Sequence, residues 1–289
     1  MTIRLGVLGH RGYDGLQDVL AELQRLAPQL GVSLFVERGL LDDARDANPL
    51  TEEGPLDVLL TLGGDGTFLR GARFLCGRQT PIAGLNLGRL GFLTSGTRDH
   101  LAQSLHVIAK GDYPVEPRMV LDAYVTDASG REQYRSRAVN DVVLHKGGFA
   151  RVIQLRATVD GREVARYSAD GVIAATPTGS TAYSLSAGGP VIVPTVESIL
   201  LTPVSPHTLA MRPLVLPPTA LLTLEVMREA TELLITVDGQ VGATFGVGET
   251  LHVRRSPDPI LVARLDAGED GFFAKLREKL GWGGLADRD

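Results

Sequence analysis

The sequence predicts an α/β domain with a parallel sheet, then a β-rich, sandwich-like domain, and a C-terminal helix returning to the first domain. Three observations predict this architecture. Apolar strand-like runs alternate with helix-period segments over the first hundred or so residues. From Met119 onward strand follows strand, with turns between. The tail from Phe272 to Leu280 then resumes a helical period.

Residues 3–8 read as a strand, after which Leu16, Val19, Leu20, Leu23 and Leu26 fall at helical spacing before Pro28. Residues 32–37 form a second strand and 58–62 a third, followed by a helix over 68–75 and a short strand over 81–86. Leu101, Leu105 and Ile108 mark a further helix that ends at Lys110-Gly111. This βαβα order predicts parallel strands flanked by helices. Pro114 and Pro117 mark the change of character. Strands are then expected at 119–126, 138–145, 152–159, 163–168, 171–176, 220–226, 233–237 and 250–255. Residues 127–130 supply a turn, and Asp160-Gly161 is a two-residue hairpin signal. The chain divides accordingly into an α/β domain (1–117), a β-sandwich (118–267) and a tail packing on the α/β domain (268–289).

At 289 residues the chain can bury two sizeable cores, and 44% hydrophobic with 22% charged residues is ordinary for a soluble globular protein. The net charge of −5 argues against nucleic acid as a partner. The single cysteine, Cys76, cannot form an intrachain disulfide and reads as a buried, inert thiol in a reducing compartment. The N-terminus opens directly as a strand, with no signal-peptide pattern, and no apolar run approaches the ~18 residues of a membrane span. A cytoplasmic protein with no membrane association is expected.

The most informative stretch is Leu62-Gly63-Gly64-Asp65-Gly66-Thr67. An apolar strand that stops at a Gly-rich turn and hands over to a helix N-terminus offers backbone N–H groups to an anion, and glycine lets phosphate approach the main chain. Gly63, Gly64, Gly66 and Thr67 are therefore candidates for a phosphate-donor loop. Asp65 places a negative charge where phosphate should sit. It is tolerable there if it accepts a hydroxyl proton or helps hold Mg²⁺, both of which are kinase tasks. The alternative is that Asp65 simply caps the following helix.

Gly6, Gly9 and Gly12, with Glu37 as a possible ribose-binding acid, hint at a dinucleotide turn, but the spacing is not G-x-G-x-x-G and an ordinary βα turn is the competing reading. A Walker A loop is excluded because the chain has no Gly-Lys dipeptide, and zinc-hydrolase and serine-esterase motifs are absent. Asn140-Asp141 lies between strand-like residues and is either a strand start or a nucleoside contact, since Asn suits an adenine edge and a carboxylate suits a ribose diol. Residues 176–190 are dense in hydroxyls and glycines around Tyr183, whose ring could stack on a base; the competing reading is a polar surface loop. Asp170 just before the preceding strand adds another acid, or merely a turn.

Together these blocks resemble the NAD kinase family, of the bacterial kind. The matching segments are residues 63–70, the run Asn86-Leu87-Gly88-Arg89-Leu90-Gly91-Phe92-Leu93, Asn140-Asp141-Val142-Val143, the 170–190 block, 201–214, Asp238-Gly239-Gln240 and Lys279-Leu280-Gly281-Trp282. The resemblance implies Mg²⁺-dependent transfer of the ATP γ-phosphoryl group to the 2′-hydroxyl of the adenosine ribose of NAD, giving NADP; ATP versus polyphosphate as donor is left open by the sequence. It implies Asp65 as general base with Gly66 in the same contact, Asn140 and Asp141 holding the adenosine part, and Asp170 reaching the nicotinamide end. Thr181, Ala182, Tyr183, Ser184, Leu185 and Ser186 would line the dinucleotide pocket, with Phe92, Arg151 and Gln240 as further contacts and Arg70 as a candidate phosphate neutraliser. Ser168 departs from the family, in which a basic residue is frequent two places before the Asp170 position; Arg166 is a possible substitute. A homodimer or homotetramer built through the β-rich domain is also implied. Two rivals remain: a lipid kinase of the diacylglycerol or sphingosine type, which shares Gly-Gly-Asp-Gly, and a non-catalytic NAD(P)-binding sensor.

Overall fold

The computed structural model describes residues 2–43, 47–88, 91–148, 152–208, 210–227, 233–265 and 271–281. The chain forms two units, residues 1–117 with 260–289, and residues 118–259.

The first unit is built on a sheet whose strands are β1 (Ile3–Gly9), β2 (Val32–Val36), β3 (Asn48–Pro49), β4 (Val58–Leu62), β5 (Ile82–Asn86), β6 (Gly96–Thr97), β7 (Val115–Arg118) and β20 (Ile260–Ala263). Their order is β3-β2-β1-β4-β5-β20-β7, with β6 also on β5. Parallel pairing joins β1 to β2 and β4, and β5 to β4, β6 and β20. β4 and β5 are buried along their whole length, which explains their unbroken apolar character in a sheet covered on both faces. Helix α1 (Leu16–Leu26) buries Leu16, Val19, Leu20 and Leu23 on one stripe. Helices α2 (Asp65–Leu75) and α3 (Leu101–Lys110) do likewise with Phe68, Leu69, Ala72 and Leu75, and with Leu101, Leu105 and Ile108. Residues 260–263 lie outside the β-rich domain to which the sequence assigned them: β20 hydrogen-bonds to β5, with Val262 opposite Ile82.

The second unit holds two six-stranded antiparallel sheets. One has the order β15-β14-β13-β10-β17-β18 and the other β12-β11-β16-β19-β8-β9. The first contains β10 (Asp141–Lys146), β13 (Gly171–Ala175), β14 (Ile199–Val204), β15 (Leu214–Leu216), β17 (Leu233–Val237) and β18 (Val241–Phe245). The second contains β8 (Leu121–Thr126), β9 (Glu132–Ala138), β11 (Ile153–Val159), β12 (Arg162–Ala169), β16 (Leu222–Val226) and β19 (Thr250–Arg255). Alternating residues of both sheets, among them Val142, Leu144 and Val172 from one and Leu121, Leu155 and Leu251 from the other, interdigitate in a single core. A smaller cluster, Val143, Ile173, Ala175 and Leu200, is buried on the opposite face of the first sheet under Ala187 and Ile192. The expected strand over 138–145 is two strands, broken at Val139 and Asn140. Asp160 and Gly161, both at positive φ, make the predicted hairpin turn.

Helix α5 (Phe272–Leu280) belongs to the first unit. No helix among the described residues is long and apolar enough to cross a membrane. Cys76 is exposed, contrary to expectation, because it closes α2 in a left-handed conformation that carries its side chain off the apolar stripe.

Candidate functional site

In the first unit β4 ends at Leu62, Gly63 takes φ 150°, and α2 begins at Asp65 with Gly64 as its N-cap. Asp65 does not cap its own helix. Its carboxylate accepts the N–H groups of Phe92 at 2.8 Å and Leu93 at 3.0 Å. A Cβ on Gly91 would lie 1.8 Å from Asp65 Oδ1, so only glycine admits this approach. Thr94 Oγ1 in turn accepts the Gly91 N–H at 3.3 Å and an Asn86 amide hydrogen at 3.4 Å, while Asn86 Oδ1 accepts the Gly88 N–H at 2.8 Å. Residues 86, 88 and 91–94 are thus the brace of the Asp65 carboxylate. With about four lone-pair positions, that carboxylate retains capacity for a further donor.

Arg70 faces a carboxylate. Its guanidinium pairs with Glu37 and also donates to the Gly9 carbonyl. Glu37, the acid at the end of β2, is thereby engaged as well. Gly6 serves packing, since a Cβ there would meet Leu56 and Leu59 at 2.9 Å. The ordinary βα turn is the reading the structure supports. Tyr13, which the sequence did not single out, accepts the Gly64 N–H on its hydroxyl at 3.1 Å. A cavity of about 580 Å³, lined by Arg11, Tyr13, Asp14, Gly15, Gln17 and Asp18, opens beside it. It follows the carboxyl end of β1, where the winding of the sheet reverses between β1 and β4, the usual position of a ligand crevice in an open α/β sheet.

In the second unit Asn140 and Asp141 are held from below. Asp238, at φ 51° in the turn between β17 and β18, accepts the N–H groups of Val139 (3.0 Å), Asn140 (2.7 Å) and Asp141 (3.1 Å) on its carboxylate. From the other side Thr176 donates its N–H to the Asn140 carbonyl at 2.9 Å and its hydroxyl to the Val139 carbonyl at 2.5 Å. Gly179 comes so close that a Cβ would stand 2.1 Å from the Asn140 carbonyl oxygen.

Asp141 is 4% exposed. Burial, and then the charge of Asp238, push its carboxyl up to about 7 from 3.8, against the Tyr183 N–H that stabilises the anion. The folded state therefore keeps a proton that the unfolded chain releases between pH 3.8 and about 7. Stability should fall as pH rises through that window, by up to about 1.4 kcal/mol per pH unit, and level off above it. Asp141→Asn, which can still accept the Tyr183 N–H, is expected to remove this slope and to be the more stable protein at pH 8. Urea denaturation of both proteins at pH 5 and pH 8 checks it; parallel pH dependences would refute it.

The hydroxyl-rich block divides into inner and outer residues. Ser180 donates to the Pro177 carbonyl at 2.6 Å and accepts the Ile192 N–H at 3.0 Å. Ser184, one of the proposed pocket residues, is buried with its hydroxyl 2.9 Å from that of Thr202. Tyr183 is 46% exposed and Ser186 is exposed, whereas Thr181, Ala182 and Leu185 are half-buried. The Asp170 carboxylate pairs with Lys146 at 2.7 Å. Arg166, the possible substitute for the missing basic residue at Ser168, pairs with Glu163 on its own strand at 2.7 Å. Lys146 supplies the cation beside Asp170. Gln240 is exposed in the turn that Asp238 opens, and Arg151 lies outside the described residues.

Two family models match the chain, the ATP-NAD kinase N-terminal domain over residues 21–113 and the ATP-NAD kinase C-terminal domain over 139–265. An NAD kinase from Gemmatimonas aurantiaca is 55% identical over 287 residues, 99% of each chain. The chain belongs to the NAD kinase family. Among solved structures, yeast NADH kinase complexed with NADH superposes with a TM-score of 0.87 at 25% identity, covering 98% of this chain and 89% of that one. An NAD kinase from Archaeoglobus fulgidus in complex with ATP gives 0.74 at 26% identity, covering 96% and 99%. The chain is thus an NAD kinase, a phosphotransferase acting on NAD with ATP.

For an NAD kinase the structure adds three residues that the motifs did not reveal. Asp238 carries a signal only in the Asp-Gly turn of the Asp238-Gly239-Gln240 segment. Tyr13 and Lys275 gave none, since their partners are 51 or more residues away in the chain.

Proposed function

We propose that the residues gathered in each unit divide the work of one reaction. Asp65 accepts the proton of the adenosine 2′-hydroxyl as that oxygen attacks the γ-phosphorus of ATP. Gly63, Gly64, Gly66 and Thr67, at the positive end of α2, hold phosphate oxygens. The observation that carries this reading is the Asp65 carboxylate, fixed by two N–H groups at a helix N-terminus beside a Gly-rich turn. In the second unit Asn140 and Asp141 hold the adenosine, Tyr183 stacks on a base, Asp170 reaches the nicotinamide end, and Thr181, Ala182, Leu185 and Ser186 line the pocket. Phe92, Gln240 and Arg151 are further proposed contacts.

Mg²⁺ fits this donor set as a nucleotide-borne ion. Mg²⁺ commonly takes one or two carboxylates plus substrate phosphates, and the Asp65 carboxylate keeps lone pairs beyond its two N–H bonds. When bound it neutralises charge on the transferring phosphoryl group. The protein's own share is to orient the acceptor hydroxyl and remove its proton.

A coupled assay of NADP formation with NAD or NADH as acceptor, and ATP or polyphosphate as donor, tests the reaction directly. NADP formation with ATP and Mg²⁺ supports it; lipid phosphorylation, or nucleotide binding without turnover, would replace it by one of the two rivals. We further propose a cytoplasmic homodimer or homotetramer assembled through the β-rich domain, with light scattering after size-exclusion chromatography as its check.

A further inference from the structure

Lys275 of helix α5 is 6% exposed, although lysine is among the residues least often buried. Its ammonium donates to the carbonyl oxygens of Phe92 at 3.3 Å and Thr94 at 2.5 Å. The Phe92 carbonyl and the Leu93 N–H belong to one peptide group, and that N–H donates to Asp65 Oδ1 at 3.0 Å. A cation on the oxygen of a peptide and a carboxylate on its N–H polarise it in the same sense, so each contact strengthens the other. The same helix grips the Phe92 side chain. Lys279 stands 4.8 Å over its ring, and the Phe272 ring lies 6.5 Å from it.

Anchoring α5 does not call for a buried charge. Leu276, next in the helix and also buried, performs that task, and an ammonium taken out of water carries a large desolvation cost that an apolar residue avoids. We infer that Lys275 is a positioning residue of phosphoryl transfer, setting the 92–94 loop and through it the orientation of the Asp65 carboxylate. The inference rests on Asp65 being the base.

The test is a double-mutant cycle in the full chain, with kcat, KM for NAD and ATP, and melting temperature measured for each protein. Lys275→Met is made in the native and Asp65→Asn backgrounds, and Lys275→Gln, which retains a neutral donor, in both as well. With the native Asp65, loss of the lysine charge is expected to lower kcat about tenfold, as small misplacements of catalytic groups do, while both KM values stay within about twofold. In the Asp65→Asn background, assayed at high enzyme concentration, the same substitution should cost less than about twofold, because the group it positions is gone. A native kcat in either folded Lys275 variant, or an equal loss in both backgrounds, overturns the inference. If Lys275→Met does not fold, the Lys275→Gln pair decides it by the same criterion. Near-native turnover by Asp65→Asn alone would instead strike at the assignment of Asp65.

Discussion

Asp65→Asn is expected to lower kcat for NADP formation by about 10²–10⁴-fold, the usual contribution of a positioned general base. The fold should survive. Asparagine can still accept one of the two N–H groups of Phe92 and Leu93 through Oδ1, but its amide would face the other, donor against donor. One hydrogen bond of about 1 kcal/mol is lost, together with an interaction of about 0.3–1 kcal/mol between a carboxylate and the start of α2. For a chain of this size a loss of that order lowers the melting temperature by a few degrees at most. A collapse of kcat with nearly native melting thus separates the chemical role of Asp65 from its structural one. Turnover close to native would sink its assignment as base.

The first domain was legible because its strands and helices obey their periods without interruption. In α1 the leucines and valine sit on one stripe, and in β4 every residue is apolar or Thr and buried. The strands that escaped notice each lack such a period. β9, Glu-Gln-Tyr-Arg-Ser-Arg-Ala, lies at a sheet edge where most of its side chains meet solvent. β14 contains Pro203, which argues against a central strand; its ladder to β15 covers only residues 199–201, whereas that to β13 places Pro203 opposite Val172. β20 is far from its neighbours in the chain, and nothing local to residues 260–263 says that their partner is β5.

The site shows the same division. Blocks that are contiguous in sequence, such as 63–67 and 176–190, could be read directly. Their supports could not, because a carboxylate or ammonium reaching across tens of residues leaves no local signature. Arg70 has a partner that its motif does not announce. Its place at the motif suggested phosphate, yet Glu37, 33 residues earlier, already faces its charge. Ser184, implied as a pocket residue by the resemblance, is turned inward to Thr202 by helix α4 (Tyr183–Ser186).

The largest stability effect is expected at Asp238. Its carboxylate accepts three consecutive backbone N–H groups, those of residues 139–141. Asp238→Ala leaves all three without that acceptor, at about 1–3 kcal/mol for each one that water fails to reach, and adds strain because alanine resists the left-handed conformation at φ 51°. A loss of several kcal/mol should follow, with KM for NAD raised as Asn140 and Asp141 lose their support. Asp238→Asn separates geometry from charge. Asparagine tolerates the left-handed region, and its Oδ1 can keep the bonds to Asn140 and Asp141, since both donate to Oδ1, leaving only the Val139 N–H opposed by the amide. The loss should then be a fraction of that in Asp238→Ala. Removing the negative charge must nevertheless lower the pKa of Asp141, because repulsion from Asp238 is second only to burial in raising it. The decline of stability with rising pH should accordingly end at lower pH in Asp238→Asn than in the native chain. Urea denaturation across pH 5–8 reads both quantities. Equal stability of the Ala and Asn variants would show that the two N–H bonds kept by asparagine, those of Asn140 and Asp141, contribute nothing, and an unmoved pH dependence would show that Asp141 does not feel Asp238.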